Sequence, residues 1–280
     1  MSILNKKLNL DKFLNSLEDL KEGQDCVISV LSGGLDSSIL TYLLCERYGR
    51  EKVRCLSFFY EQKQAFELEM AKKTTAYLGV QHKLLDISAL AQLSREVSAN
   101  ISGTSLKMPR IQDVLGEPQP VTYVPFRNMI LASFAFSYAE AQKASFVYMG
   151  LQAHDIYNYW DTSPSFVASL NELARQNRKY NLCLKTPFAE FSKTDELELA
   201  LQLEQKKAAD SMAYQKNSWN FVRLGDSLTC YEPQVEQDKT KVLACGYCPS
   251  CSERIMAFSK LGYRDPVSYK RKIDWDKLIT

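Results

Sequence analysis

Apolar residues along this chain follow two alternating patterns. Short, mostly apolar runs occupy residues 27–31, 53–60, 82–87, 146–151 and 182–186, and they predict β-strands. Helical spacing of apolar positions occurs between and after these runs, at residues 37–48, 64–78, 128–142, 165–178 and 192–204. Strands that alternate with helices predict an α/β fold built on a doubly wound parallel sheet.

Three stretches fall outside this alternation. Residues 1–22 have helical spacing and predict an amphipathic helix before the first strand. Residues 94–124 contain several Pro and Gly residues, and connections of that length are often lids or binding loops. Residues 205–220 are polar and predict no particular element. We divide the chain into a lead-in at 1–25, a core domain at 26–228 and a C-terminal segment at 229–280.

Composition and charge narrow the choice of function. The chain has 280 residues and a net charge of +2, so strong non-specific binding of nucleic acid is not expected. No apolar run approaches the roughly 18 residues that a membrane span requires, and the N-terminus lacks the apolar core of a signal peptide. A cytoplasmic location is therefore expected, where cysteines are thiols or metal ligands rather than disulfides.

The string S-G-G-L-D-S at 32–37 connects the first predicted strand to the first predicted helix. Gly33 and Gly34 let the backbone approach an anion closely. The helix N-terminus then presents amide donors to that anion, and the serines add hydroxyl groups. The residues that we assign to phosphate binding are Ser32, Gly33, Gly34, Leu35, Asp36, Ser37 and Ser38. A plain turn with Asp36 or Ser37 as N-cap is the alternative.

Asp36 sets this loop apart from other phosphate-binding loops. A carboxylate disfavours a bare phosphate but suits a Mg²⁺ ion that the phosphate shares. The loop also lacks the lysine of the usual P-loop, so transfer of a γ-phosphate is not expected.

The second chemical signal is a cluster of cysteines in the C-terminal segment. Two consecutive C-x-x-C steps and a more distant fourth cysteine can form a tetrahedral thiolate site, with Cys230, Cys245, Cys248 and Cys251 as the ligands. Zinc is the default ion, and an iron–sulfur cluster is the alternative. Four protein ligands leave no open position, which predicts a structural role. The remaining cysteines, Cys26, Cys45, Cys55 and Cys183, are isolated and are interpreted as small core residues.

Together these motifs resemble one known family. S-G-G-x-D-S is the PP-loop of the N-type ATP pyrophosphatases, and with the cysteine cluster it resembles the QueC family of 7-cyano-7-deazaguanine synthases over about residues 26–266. Residues 58–71 resemble the family's F-x-Y-G-Q-x-H-x-x-E-x-x-x-A. Residues 124–128 (V-P-F-R-N) resemble V-P-G-R-N, and residues 186–195 resemble T-P-x-x-x-x-x-K-x-E.

The resemblance implies a reaction and a set of ligands. Family members use Mg-ATP to adenylate 7-carboxy-7-deazaguanine with release of pyrophosphate, and ammonia then displaces AMP to give an amide. A second ATP activates the amide oxygen, whose loss leaves the nitrile. The resemblance also implies structural zinc and a homodimer. Asp36, Lys193 and Arg127 become the candidate catalytic residues, and Asn128 joins the ATP-binding set. A lysine in the first helical turn opposes the helix dipole, which favours a functional role for Lys193.

Departures from the family motifs concentrate where the substrate is expected to bind. Phe126 stands at the glycine of V-P-G-R-N, Gln64 at the histidine of the earlier motif, and Thr162-Ser163 at a Cys-Arg pair. The candidate substrate-binding residues are Phe126, Tyr157, Tyr159, Trp160 and Asp161, although such aromatics are often simply core.

These departures leave alternative functions open. A diverged relative would adenylate a deazapurine acid and pass it to another amine, such as one on a protein. A tRNA-modifying PP-loop enzyme would want a basic surface that the net charge does not suggest. A nucleotide-binding pseudoenzyme is the non-catalytic alternative.

Overall fold

A five-stranded parallel sheet forms the centre of the molecule. The structure is a computed structural model that describes residues 8–109, 119–153, 159–211, 219–235 and 242–279. The strand order is β3-β2-β1-β4-β5. The strands are β1 (Cys26–Val30), β2 (Val53–Phe59), β3 (Gln81–Asp86), β4 (Ala144–Met149) and β5 (Leu184–Lys185). The order reverses between β1 and β4, and open α/β sheets bind ligands beyond the carboxyl ends of the strands at such a point.

Helices cover both faces of this sheet. They are α1 (Leu10–Ser16), α2 (Leu35–Tyr48), α3 (Glu67–Leu78), α4 (Ala89–Ser94), α5 (Arg127–Ala141), α6 (Pro164–Ala174), α7 (Lys193–Ser211), α8 (Pro249–Lys260) and α9 (Trp275–Leu278). Helices α1, α2, α7 and α8 contribute to one apolar core, and α5 and α6 contribute to the other. Every residue of β1 and β4 is buried, because both faces of these strands are covered. The predicted fold class and strands are therefore confirmed.

Some element boundaries differ from the prediction. Helix α7 runs seven residues beyond its predicted end at 204, because the buried Ala208 continues its inner face while Gln205 and Lys206 stay exposed. Helix α4 was not predicted, and the described part of residues 94–124 contains only an isolated bridge, between Ile101 and Gln62. Helix α1 begins at Leu10, and residues 1–7 lie outside the described part of the chain.

The C-terminal segment packs directly against the core. It contains the short antiparallel strands β6 (Gln234–Val235) and β7 (Val242–Leu243), followed by α8 and α9. The buried Arg254 of α8 pairs with the buried Asp265 at 2.6 Å and donates to the carbonyl of Leu224 at 3.0 Å. These bonds fix α8 to the turn that precedes residue 228. Within the described ranges, no helix has the length and apolar character to cross a membrane.

Candidate active site

A cleft of about 280 Å³ opens at the carboxyl end of the sheet, where the strand order reverses. Its walls come from the ends of β1, β2 and β4, from the first turns of α2, α5 and α7, and from the C-terminal segment. Of the predicted site residues that the structure describes, those that line the cleft are Ser32, Gly34, Asp36, Ser37, Arg127, Asn128, Tyr159 and Lys193. Gly33, Leu35, Ser38, Phe126, Trp160 and Asp161 are not among the lining residues.

The predicted phosphate loop has a backbone that only glycine suits. Gly33 has a φ of +91°, and a β-carbon there would lie 1.8 Å from the backbone oxygen of Glu67. The carbonyl of Gly33 accepts a hydrogen bond of 2.9 Å from the backbone amide of Leu228. The loop is therefore held between the first turn of α3 and the start of the cysteine-rich segment.

Hydroxyl groups hold the loop together internally. The Oγ atoms of Ser32 and Ser37 lie 2.9 Å apart, and the backbone amide of Gly34 donates to Ser32 Oγ at 3.1 Å. Gly34 is the N-cap of α2 and provides no side chain to cap it, which contradicts the N-cap alternative for Asp36 and Ser37. The first amides of α2 lack helical acceptors, and Gly34, Asp36 and Ser37 line the cleft, which favours an anion site at this helix N-terminus.

Lys193 brings a positive charge to this loop. Its Nζ donates to both carboxylate oxygens of Asp36, at 3.0 and 2.9 Å, and to Oε1 of Gln152 at 3.2 Å. Its side chain is only 13% exposed, so the ammonium lies at the cleft wall rather than in bulk solvent. Lys193 begins α7, and Ser192 with Asp195 forms a capping box, with bonds of 2.8 and 3.3 Å.

Two acids lie near the phosphate loop, the fully buried Glu196 and the half-buried Glu67. Burial, followed by the charge of Asp36, raises the pKa of Glu67 and of Glu196 well above the usual range for glutamate. The cation Arg127 partly opposes the shift for Glu67, and Lys193 does so for Glu196. Three carboxyl groups around one phosphate loop make this end of the cleft suited to a cation as well as to an anion.

Arg127 provides a second positive charge on the opposite wall. Burial lowers the pKa of Arg127, but the nearby Tyr60, Asp161 and Tyr159 outweigh burial and raise it, so the guanidinium stays charged. Its Nε donates to Oδ1 of Asn128 at 3.2 Å. The cleft therefore has a cation on each side, Lys193 near the loop and Arg127 at the start of α5.

Asn128 and Asp161 form a buried pair behind the Arg127 wall. The backbone amide of Asn128 donates to Asp161 Oδ2 at 3.2 Å, and its side chain donates to the carbonyl of Asp161 at 3.1 Å. Asp161 thereby caps the N-terminus of α5, although it lies far along the chain. Both side chains are at most 3% exposed, so their contacts favour orientation of α5 over direct contact with a ligand.

Phe126 explains why the family motif has a glycine at its position. Its φ is +55°, in the left-handed region that favours glycine. The ring is 54% exposed and meets the Trp160 ring edge-on, with 5.3 Å between centroids. Both rings line a separate, shallow surface cleft with Tyr123. The phenylalanine therefore does not fill the main cleft.

Of the remaining candidate substrate residues, the structure describes Tyr159 but not Tyr157. Tyr159 lines the cleft, is 9% exposed, and its hydroxyl group lies 2.6 Å from that of Thr122. Tyr157 lies outside the described residues, as does His154.

The predicted metal ligands converge at one point. The sulfur atoms of Cys230, Cys245, Cys248 and Cys251 all lie within 4.8 Å of one another, and the Cys245 and Cys251 sulfurs are 3.8 Å apart. Tetrahedral sulfurs around one zinc ion, with bonds of about 2.3 Å, stand about 3.8 Å apart. A four-iron cluster binds each thiolate on a different iron and needs wider spacing. The positions therefore fit a single ion.

Backbone amides also donate hydrogen bonds to these sulfur atoms, which favours the thiolate form that binds a cation. The amide of Cys245 donates to the Cys230 sulfur at 3.1 Å, and the amide of Cys248 donates to the Cys245 sulfur at 3.3 Å. Such donors stabilise a thiolate relative to a thiol. Of the isolated cysteines, Cys26 and Cys55 are buried as predicted, whereas Cys45 and Cys183 are only half-buried.

The cysteine segment also forms one wall of the cleft. Residues that flank the ligands line it, namely Thr229, Tyr231, Ser250 and Glu253. None of them was among the predicted site residues. The same is true of the amide groups Gln62, Gln64, Asn100 and Gln152, and of Glu67. The family motif around residues 58–71 pointed to Gln62 and Glu67, but nothing in the sequence pointed to Gln152.

The fold, the phosphate loop and the lysine beside it define a nucleotide-binding protein of the PP-loop type. The family model for the queuosine biosynthesis protein QueC matches residues 26–262, and this chain belongs to that family.

Individual relatives agree with this family. The 7-cyano-7-deazaguanine synthase of Caldicellulosiruptor saccharolyticus is 34% identical over 256 residues, which cover 89% of this chain and 98% of the relative. The synthase of Psychrobacter cryohalolentis is 30% identical, with 91% and 93% of the two chains covered. Among solved structures, the U34-tRNA thiolase NcsA from Methanococcus maripaludis, which has a [4Fe-4S] cluster, is 18% identical with a TM-score of 0.45, covering 70% of this chain and 62% of its own. At that level of similarity, neither function nor cofactor follows.

Proposed function

We propose that this protein is an ATP-dependent ligase that converts 7-carboxy-7-deazaguanine and ammonia to 7-cyano-7-deazaguanine. Relatives of that name span nearly the whole chain, which favours this reaction over another acyl acceptor, tRNA modification or a pseudoenzyme. The observation that carries the proposal is the convergence of the phosphate loop, Lys193 and Arg127 on a single cleft.

The reaction requires activation of the carboxylate and stabilisation of the charge that develops on the leaving group. A carboxylate is a poor electrophile, and adenylation turns its oxygen into a leaving group. In that step, the carboxylate oxygen bonds to the α-phosphorus of ATP while the bond to pyrophosphate breaks. Negative charge grows on the departing pyrophosphate, and we expect the amides at the start of α2 and the ammonium of Lys193, which line the cleft, to stabilise it. Arg127 on the facing wall is suited to the acid or to the α-phosphate.

Ammonia then attacks the activated carbonyl carbon, and AMP departs to leave the amide. In the final step a second ATP activates the amide oxygen, and loss of that oxygen with both amide protons gives the nitrile. A cleft that releases pyrophosphate once can do so again with the amide in the position of the acid.

Two metal ions belong to this proposal. Mg²⁺ would be held by Asp36 together with the ATP phosphates, and it would supply charge neutralisation for the leaving group. Zinc would be held by the four cysteines in a closed, structural site. A cytoplasmic location and the homodimer that the family resemblance implies complete the proposal.

Incubation of the purified protein with Mg-ATP and the acid, with and without ammonium, tests the reaction. We expect pyrophosphate in both cases, but free AMP and the nitrile only with ammonium, as read by mass spectrometry, because without ammonia the AMP stays bonded to the acid. Lys193→Met should lower pyrophosphate release by about 10²-fold, the usual effect of removing one group that stabilises a transition state. Lys72→Met, on the exposed face of α3, is the matched control. Accumulation of amide without nitrile, or no AMP at all, would contradict the proposal.

A further inference from the structure

Glu196 is a buried acid that no step of the proposed reaction uses. It lies on α7, one turn after Lys193, and its side chain is fully buried beside the core residues Leu197 and Ala200. An apolar residue at this position would avoid the cost of burying a carboxyl group. The presence of a buried acid beside Lys193 therefore indicates that its polar contacts have a role.

Gln152 connects Glu196 to that lysine. Its Nε2 donates to Glu196 Oε1 at 2.6 Å and to the backbone carbonyl of Phe191 at 3.1 Å. Its Oε1 accepts from the ammonium of Lys193 at 3.2 Å. A side-chain amide has one donor end and one acceptor end, so the two acceptors behind Gln152 determine which end faces the lysine.

The opposite orientation of Gln152 is unfavourable at every contact. Its oxygen would face two acceptors, and its NH₂ group would face an ammonium ion. Without Glu196, the Phe191 carbonyl would be the one acceptor behind Gln152 that still opposes this flip, together with the Lys193 ammonium in front of it. The second oxygen of Glu196 is buried and has no hydrogen-bond partner among the described residues, so Gln152 provides the one hydrogen bond that this carboxyl makes there.

We propose that Glu196 is a positioning residue of this site, which acts through Gln152 to hold the Lys193 ammonium beside Asp36 and the phosphate loop. Hydrogen bonds thus run in sequence from Glu196 through Gln152 to Lys193, and from Lys193 to Asp36. The expected effect of Glu196 on the reaction rate rests on the proposed function, whereas the hydrogen bonds that position Lys193 do not depend on it.

Kinetics of pyrophosphate release test the effect on rate. Glu196→Leu and Gln152→Leu should each lower kcat by about 10²-fold, because each misplaces the ammonium that stabilises the leaving group. The Kd for Mg-ATP should change by about threefold or less, since the loop amides remain in place. The double variant should be about as slow as either single variant, because both act through one lysine.

Glu196→Gln is the conservative variant that separates hydrogen bonding to Gln152 from the negative charge of the carboxylate. Its amide oxygen can accept from Gln152 as the carboxyl does, so kcat should stay within about threefold of the wild type. If Glu196→Gln is as slow as Glu196→Leu, the negative charge itself is needed, for instance as a metal ligand, and positioning through Gln152 is refuted. Unchanged kcat in Glu196→Leu, or multiplicative losses in the double variant, would also refute it.

A second readout does not depend on turnover. Acetylation of lysines by an N-hydroxysuccinimide ester, mapped by peptide mass spectrometry, should modify Lys193 several-fold faster in Glu196→Leu and Gln152→Leu than in the wild type or Glu196→Gln. Lys72 is the internal reference, and the melting temperature and metal content check folding. If the wild type releases no pyrophosphate, the proposed function fails, while equal labelling of Lys193 in all four proteins would overturn the positioning role.

Discussion

Replacement of Gly33 by alanine should damage both the fold and the phosphate loop. The new β-carbon would lie 1.8 Å from the Glu67 carbonyl oxygen and 2.7 Å from its carbon, whereas ordinary contacts begin at 3.4 Å. Relief requires the loop or α3 to move by more than an ångström. The left-handed backbone adds about 1–3 kcal/mol of strain, and forced overpacking typically costs about 1–3 kcal/mol. We therefore expect Gly33→Ala to lower the free energy of unfolding by about 2–6 kcal/mol.

Gly79→Ala is the matched control for backbone strain alone. Gly79 ends α3 with a φ of +68°, and nothing lies within 4 Å of the position of its β-carbon. It should cost only about 1–2 kcal/mol. Urea unfolding measures both variants, and titration with Mg-ATP should show weakened binding in Gly33→Ala alone. Equal destabilisation of the two variants, or unchanged nucleotide affinity in Gly33→Ala, would refute the close packing of the loop against α3.

Three further outcomes are expected. Arg254→Met should destabilise the protein by about 3–5 kcal/mol in thermal unfolding, because it leaves the buried Asp265 unpaired; Arg264→Met, at an exposed pair, should cost about 1 kcal/mol or less. Removal of the metal by a chelator should weaken Mg-ATP binding as well as lower the melting temperature, and a fall in melting temperature alone would show that the cysteine segment does not support the cleft. The raised pKa of Glu196 means that the folded protein holds a proton there above the ordinary value of 4.5, so stability is lost as pH rises past that value. Glu196→Gln removes this loss, and its stability advantage over the wild type in urea unfolding should grow from pH 5 to pH 8; a constant difference would contradict the shift.

Much of the fold was predictable because its signals are local. Short apolar runs predicted the strands, and a strand followed by S-G-G-L-D-S predicted the loop. The cysteine spacing likewise predicted a convergence that the sulfur distances confirm. Each of these signals lies within a few neighbouring residues, where chain geometry leaves few alternatives.

The rest of the site depends on contacts between distant segments, which no local pattern encodes. Gln152 and Glu196 lie in a loop and on a helix that share no motif, and only the parallel order of the strands brings them together. Phe126 shows the converse. The sequence identified it as a departure from a glycine, but only its φ of +55° and its exposed ring show that the change points away from the cleft.

The bond from the Leu228 amide to the Gly33 carbonyl has a consequence for how the protein is made. A ribosome releases the loop early, together with the strand and helix on either side of it. The residues that clamp the loop emerge much later, after nearly all of the core. Contacts between such distant parts of a chain form slowly and late. A nascent chain that ends before Leu228 would therefore carry all five strands of the main sheet with a phosphate loop that nothing yet holds, and full ATP affinity would appear only after Leu228 has emerged.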